Sequence, residues 1–480
     1  MEAQNIEKGE IIQAIESKQE RFWRISDAIW SYAELGLEEY RSSKLLAATL
    51  EEAGFEVDRG VAGMPTAFVA SWSHGAGKPV LGVLAEYDAL PMLSQKAGLA
   101  TQEPMVAGAP GHGCGHNTMS AMQALAVVAL QEIVQKKRLN CTLKYFGSPA
   151  EEMLVSRPYM IRANLLKDVD VVIDCHSGAR FGSGYGISGA GMYSFVVSFR
   201  GKTAHSGANP WKGRSAIDAV ELMHAGTERM REHLPSTARI HWVTLEGGEA
   251  PNVVPDRAST WYFVRDTDDK VEADFNWVMD CAKAAALMTQ TTYQVKVLAA
   301  CHQAYSNKAL AELLFENIKI VGKPEYTEEE EAFARAVQQT AGVKVKGLDY
   351  SLKLTDAATE PYRGGSTDVG DVTLVAPCAS VIFPTVLGDF PGHHWTIVTS
   401  GVSSFAHKGI TAGAKAVCLT ACDLLTGPEL LAQVRKEFIE TSGKYPYKTF
   451  LPDDAQPPLG WNTALMAKYR GEMEKFYVNP

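Results

Sequence analysis

The sequence predicts an α/β domain with a mostly parallel sheet, interrupted by a smaller ferredoxin-like α+β domain. Three observations carry this. Apolar strand-like runs alternate with helical patterns at both ends of the chain, as in parallel strands joined by crossover helices. Between about 188 and 305 the order becomes strand, helix, strand, strand, helix, strand, the split βαβ pattern. The chain has 480 residues, too many for one compact core, so an insertion into a larger domain is expected.

The elements follow in order. Ile11 to Ala53 reads as two amphipathic helices, with apolar residues at helical spacing. Phe55 to Val57 and Ala67 to Ser71 are short strands. Pro79 to Asp88 is nearly all apolar and ends in charges, the pattern of a buried parallel strand with a functional loop at its carboxyl end. A Gly/Pro-rich loop leads to a long helix, Met119 to Gln135, and then to strands at Cys141 to Phe146 and Val169 to Cys175. From Gly182 the run GSGYGISGAG is a flexible connector by composition. The inserted domain then has strands at Met192 to Arg200, Ile240 to Glu246, Thr260 to Arg265 and Tyr293 to Ala299. Its helices are Gly213 to Arg231 and Val271 to Ala286. The α/β pattern returns with a strand at Ser380 to Phe383 and a helix at Ser404 to Leu425. The acidic run from Glu325 to Phe333 suits a helix start. Residues 1–187 and 306–480 thus form one discontinuous domain, and 188–305 the insertion. The tail beyond Thr426 is helical near its end.

Composition limits the function classes. Lys+Arg number 46 and Asp+Glu 56, a net charge of −10, which argues against nucleic acid as the partner because phosphate binding needs a basic face. No apolar stretch reaches membrane-spanning length, and the polar N-terminus lacks a secretory pattern. A cytoplasmic protein acting on a small molecule is expected. The eight cysteines are scattered, without a disulfide-dense module. Cys418 and Cys422 share one face of an apolar helix, as core thiols do.

Four short motifs carry chemistry. In Gly111–Asn117 (GHGCGHN), Cys114 and His116 can face one ion, and glycines let the backbone bend around it; a tight turn with a buried cysteine fits equally well. Glu151 and Glu152 follow the strand ending at Phe146. Adjacent carboxylates at a sheet end suggest divided labour, one binding metal and the other acting as general base, although acidic helix starts are common. His176 stands at a third strand end. His393 and His394 precede Trp395 before the last long helix. Each motif is weak alone. All four fall where an open α/β sheet places its active site. Thiolate, imidazole and carboxylate together suit zinc or manganese.

These motifs resemble a known group. AEYDALP (Ala85–Pro91), GHGCGHN, PAEE, His176, GKTAHSGANPWKGRSAIDAV (Gly201–Val220), PNVVPD (Pro251–Asp256), GGSTDVGDV (Gly364–Val372), GHHW and SSFAHKG are similar to the aminoacylase/carboxypeptidase-G-type metallopeptidase superfamily. Within it the match is to the amidohydrolase branch that contains the p-aminobenzoyl-glutamate hydrolase proteins. The resemblance spans nearly the whole chain. It implies a zinc-peptidase-like catalytic domain, an inserted dimerisation and lid domain, and two divalent transition-metal ions, manganese or zinc. It further implies Cys114 as bridging ligand, His116 and His176 on one ion, and Glu152 and His393 on the other. His393 rather than His394 has the family's spacing to the tryptophan. Glu151 is then the general base, and Asp88 orients a metal-binding histidine. His205 reaches a partner's active site to stabilise the oxyanion, and Asn252 binds substrate. A homodimer is expected, with a homologous partner subunit as the alternative. Two departures lie beside the metals: Met153-Leu154-Val155-Ser156-Arg157 replaces a glycine-rich stretch, and Asp174-Cys175-His176-Ser177 replaces a Trp-His-Pro pattern. Arg157 is placed to pair with a substrate carboxylate. The expected reaction is hydrolysis of an N-acyl amino acid or N-aroyl-glutamate-like amide. The alternatives are hydrolytic deamination of an aromatic amine at the same metals and a non-catalytic subunit.

Overall fold

A computed structural model describes residues 7–349 and 351–480. Its first element, α1 (Lys8–Glu16), is followed by α2 (Gln19–Tyr32) and α3 (Tyr40–Glu52), three helices where periodicity predicted two. The break lies at Ala33 and Leu37, which both take left-handed backbone angles. There the buried Glu34 carboxylate accepts the N–H groups of Arg41 and Ser42 at 2.9–3.1 Å. These N–H groups have no intrahelical acceptor, so the carboxylate acts as the start signal of α3.

The chain continues through β1 (Glu56–Arg59), β2 (Phe68–His74), β3 (Val80–Ala85), α4 (His116–Lys137), β4 (Cys141–Gly147), α5 (Ser156–Arg162), β5 (Val171–Gly178) and β6 (Phe181–Ser188). After a second sheet come β11 (Ala304–Ser306), α8 (Lys308–Val321), α9 (Glu328–Thr340), β12 (Leu352–Asp356), α10 (Val369–Val375), β13 (Cys378–Pro384), α11 (Trp395–Ser400), α12 (Ser404–Thr426), α13 (Pro428–Lys444) and α14 (Thr463–Met473). The large sheet runs β1-β2-β4-β3-β5-β13-β6-β11, with β12 beside β6. Its centre, β4-β3-β5-β13, is parallel. Strand β3 is buried throughout, which explains its unbroken apolar run. Helices α4 and α12 pack together in the core. Helix α12 is long and apolar enough to cross a membrane, but most of it is buried inside the fold.

One expectation is corrected here. The glycine-rich run after Gly182 is no loose connector: it forms β6, paired with β11, β12 and β13. Glycine serves close approach in this strand. A Cβ on Gly182 would lie 2.1 Å from the Lys353 carbonyl oxygen.

The second sheet comprises β7 (Gly191–Arg200), β8 (Arg239–Glu246), β9 (Arg257–Asp266) and β10 (Thr292–Cys301) in the order β10-β7-β9-β8, all antiparallel. Helices α6 (Ala216–Met230) and α7 (Val271–Thr289) pack on it and on each other. This is the ferredoxin-like arrangement. Its core includes Phe195, Tyr262, Met223 and Val278.

The C-terminal segment joins the two sheets' surroundings. Trp461 meets Trp261 of β9 edge-on at 5.0 Å. Asn462 donates to the Gly36 carbonyl at 2.9 Å, and Arg470 pairs with the buried Glu34 at 3.0 Å. The tail therefore braces the inserted sheet, the first loops and α3 together.

Candidate metal centre

Four loops at the carboxyl ends of parallel strands converge on one cleft of about 430 Å³. Its lining includes Cys114, Glu151, Glu152, His176 and His393. Strand β3 ends at Ala85, and the next residues alternate sides, so Glu86 and Asp88 point the same way. Gly115, with φ +83°, turns the chain into α4. It sets His116 on the first turn, beneath Asp88. Asp88 Oδ1 accepts from His116 Nδ1 at 2.9 Å, leaving Nε2 aimed into the cluster. The other Asp88 oxygen accepts the Glu152 N–H at 3.0 Å. One carboxylate thus positions two donor residues. The Glu151–Glu152 turn is held between Ala150 and Leu154, both left-handed non-glycine residues.

The donor atoms form overlapping groups. Cys114, His116 and His176 each place one donor within 4.8 Å of the others, as do Cys114, Glu152 and His393. Cys114 belongs to both. Cys114 Sγ and His176 Nε2 are 3.5 Å apart. His393 Nε2 lies 3.2 Å from Glu152 Oε2. His394 turns away, hydrogen-bonding Thr396 at 3.0 Å and stacking on Phe390. His112 is buried, with Nε2 on the Ile29 carbonyl. Burial holds its pKa at about 3, so it is a neutral structural residue outside the cluster.

The electrostatics call for cations. Although burial opposes it, the His176 and His116 imidazoles hold Cys114 well below the ordinary thiol range. His176 rises to about 10, against the effect of burial, mainly through Cys114. Glu151 is pushed up by burial and by Glu86, and Glu152 by burial and by Cys114. Such crowding of acidic groups is costly without a counter-charge. His116 Nε2, Glu152 Oε1 and Glu86 Oε2 are buried without hydrogen bonds. Orphaned imidazole and carboxylate atoms beside the Cys114 sulfur fit divalent transition-metal ions.

Arg157 requires a correction. It is no substrate-binding arginine: its side chain is 1% exposed, and its guanidinium pairs with Asp368 and, at 2.7 Å, with Glu86. Asp368 also accepts the Arg157 N–H and the Ser156 hydroxyl. A buried guanidinium needs its charge compensated on the spot, and these two acids do so. Arg157 locks the first turn of α5 to Asp368, just before α10.

His205 and Asn252 lie on the inserted domain. Both are exposed, and neither lines this cleft. They are neighbours: His205 bridges to Val253, and the Asn252 carbonyl accepts the Ser206 N–H. His205 Nδ1 accepts from Gly207 and Ala208 N–H at 3.2 Å each. The ring proton therefore sits on Nε2, as an outward donor.

Two cleft residues were missed by sequence reading. Glu86 approaches His116 Nε2 at 3.2 Å and groups with His116 and Glu151; its spacing of two from Asp88 was the available signal. Arg265, on β9, enters the cleft from the inserted sheet with Phe263. Its Nη1 donates to the Gly364 carbonyl at 3.2 Å, and its Nε is buried without a partner. Among the described residues it has no ion-pair partner. Only the folded topology reveals it, because β9 lies in the other sheet.

Residues 187–287 match the peptidase dimerisation domain of the M20 family. The chain is 34% identical over 473 residues to a p-aminobenzoyl-glutamate hydrolase protein of Escherichia coli K12, covering 93% of this chain and 98% of that protein. It is 29% identical to the Xaa-Arg dipeptidase of Mus musculus, over 89% of this chain and 90% of that one. Its fold matches a dinuclear metal-binding peptidase of Bacillus subtilis from the M20 family with a TM-score of 0.55, at 18% identity, covering 85% and 99% of the two chains.

Proposed function

Because the chain belongs to the M20 family, and its relatives include a p-aminobenzoyl-glutamate hydrolase and a dinuclear metal-binding peptidase, we propose that it is a metal-dependent amidohydrolase that cleaves the amide of an N-acyl or N-aroyl amino acid. The observation that carries this reading is Cys114 shared between two donor groups with Glu151 alongside. In this reading Cys114 would be shared by two ions, His116 and His176 would hold one, and Glu152 and His393 would hold the other. Manganese or zinc fits the donor set. When bound, such ions polarise the amide oxygen and acidify water.

The protein's own groups carry the remaining steps. Glu151 accepts the proton of the attacking water and returns it to the departing nitrogen. Its buried position, with cations offsetting the neighbouring acids, suits a base that must work near neutral pH. Asp88 keeps His116 in the tautomer that faces the cluster. Arg265, the cleft arginine without an acid partner among the described residues, holds the amino acid's carboxylate. His205 and Asn252 are exposed and lie outside the lining of their own cleft, which supports a homodimer in which the lid of one copy completes the site of the other. His205 Nε2–H is then a donor to the developing oxyanion. A homologous companion subunit is an equivalent way to supply it. The working units of this scheme are the two domains placed by sequence at 1–187 with 306–480 and at 188–305, although Ser188, in β6, and Ala304 and Tyr305, in β11, pair in the large sheet; the enzyme is cytoplasmic in this reading.

The test is product analysis with zinc- or manganese-loaded protein and a panel of N-acyl and N-aroyl amino acids. Equimolar release of free acid and amino acid supports the reading. Ammonia from an aromatic amine, with no acid released, supports the deaminase alternative. No turnover with either metal supports a non-catalytic subunit.

A further inference from the structure

The cleft continues past the metal ligands. Ser188, Ser306, Ser380 and Ile382 line both it and an adjoining annex of about 240 Å³. The strand register fixes the spacing. His176 on β5 pairs with Ile382 on β13, and Ile382 pairs with Gly182 on β6. Gly182 is therefore two strand spacings, about 9.5 Å, from the metal-side histidine. Arg180, in the turn entering β6, lines the annex.

The two compartments differ in charge. Four acids, Glu86, Glu151, Glu152 and Asp174, line the cleft at the metal end. Among the described residues no acid lines the annex, whose charged residues are Arg180 and Lys353. Lys353 is matched by Glu360 at 2.6 Å. Arg180 is half-buried and, among the described residues, has no ion-pair partner. Glu360 feels it only at longer range. Asp174, at the boundary, accepts from Ser380 at 2.6 Å and belongs to the acidic end. A half-buried arginine with no ion-pair partner among the described residues, in an annex lined by serine and threonine, is a ready receptor for an oxyanion.

We propose that this annex is a subsite for a second carboxylate of the substrate, and that Arg180 determines specificity there. The inference rests on the amidohydrolase reading, in which Arg265 already holds the first carboxylate. An amino acid with an acidic side chain has the required chemistry. Its second carboxylate lies about 6 Å from the scissile carbonyl by ordinary bond lengths, a reach comparable with the spacing between the metal end and the annex that Arg180 lines.

The experiment compares N-benzoyl-L-glutamate with N-benzoyl-L-glutamine, which have the same shape and differ in one side-chain charge. Metal-loaded wild type is expected to prefer the glutamate about 10- to 100-fold in kcat/KM, mostly through KM, the range for a charge-assisted contact. Arg180→Met should collapse that ratio towards one, and Arg180→Lys should restore part of it. Arg180→Glu should shift preference towards N-benzoyl-L-lysine, a gain that misfolding cannot mimic. An unchanged ratio in Arg180→Met, with no gain in Arg180→Glu, overturns the subsite while leaving amide hydrolysis intact. Hydrolysis of none of the three amides by wild type overturns the underlying reading, and the subsite with it.

Discussion

Arg157→Met separates a structural role from a substrate-binding one. The guanidinium is 1% exposed, with Glu86 and Asp368 side chains 3% and 0% exposed against it. At 2.7 Å and an effective dielectric constant of about 20, one such pair has a gross attraction of about 6 kcal/mol. Desolvation offsets much of this in the intact trio. Removing only the cation leaves two buried carboxylates uncompensated, and the expected loss is about 3–5 kcal/mol. Against a total stability of about 5–15 kcal/mol this is severe. Urea unfolding followed by tryptophan fluorescence measures it. Arg157→Met combined with Asp368→Asn should lose less than the sum of the single variants, because one stranded charge has been removed. If Arg157→Met unfolds at the wild-type urea concentration and only raises KM for carboxylate-bearing amides, the clamp assignment is wrong.

Three further outcomes follow from the geometry. Glu151→Gln should retain its metal by elemental analysis yet lose about 10²–10⁴-fold in kcat, the range for a general acid–base residue; full activity would exclude Glu151 as the base. His205→Ala should lower kcat by about 10²–10³ with unchanged metal content, and mixing it with Glu151→Gln protein should restore part of the activity if the histidine acts across a dimer. His302, outside the cleft, places both ring nitrogens against acceptors, Asp268 at 2.9 Å and the Lys448 carbonyl at 2.8 Å. Burial pulls its pKa down, but Asp268 and Asp371 hold it above the usual value. The stabilisation it contributes is complete below about pH 6.5 and is lost as pH rises through the folded-state value. The stability advantage of wild type over His302→Gln should therefore shrink as pH rises above about 6.5, and a constant difference in urea midpoints would refute this.

Much of the architecture was readable before folding because periodicity is local. The buried strand β3, helix α4 and the elements of the inserted sheet all announce themselves by apolar spacing. The glycine-rich β6 did not. Its strand character depends on Lys353 and Ile382, far away in sequence, which close around glycines that would otherwise be flexible. At the site, Cys114, His116, Glu151, Glu152, His176 and His393 belong to short motifs at strand ends, and the fold gathers them. Arg157 was misread because its position beside Glu152 indicated proximity to substrate, whereas Asp368 and Glu86, distant in sequence, consume its charge. Arg265 and Arg180 were invisible for the converse reason. Which arginines lack an acid partner is known only once all the acids have been placed.

The most direct measurement is the stoichiometry of zinc or manganese bound to the reconstituted, dialysed protein, compared with Cys114→Ser. Two ions per chain in wild type, with both sites weakened together in the variant, is the predicted result. Fewer than two ions in wild type, or a variant that still binds both with undiminished affinity, would contradict the idea that one thiolate serves both.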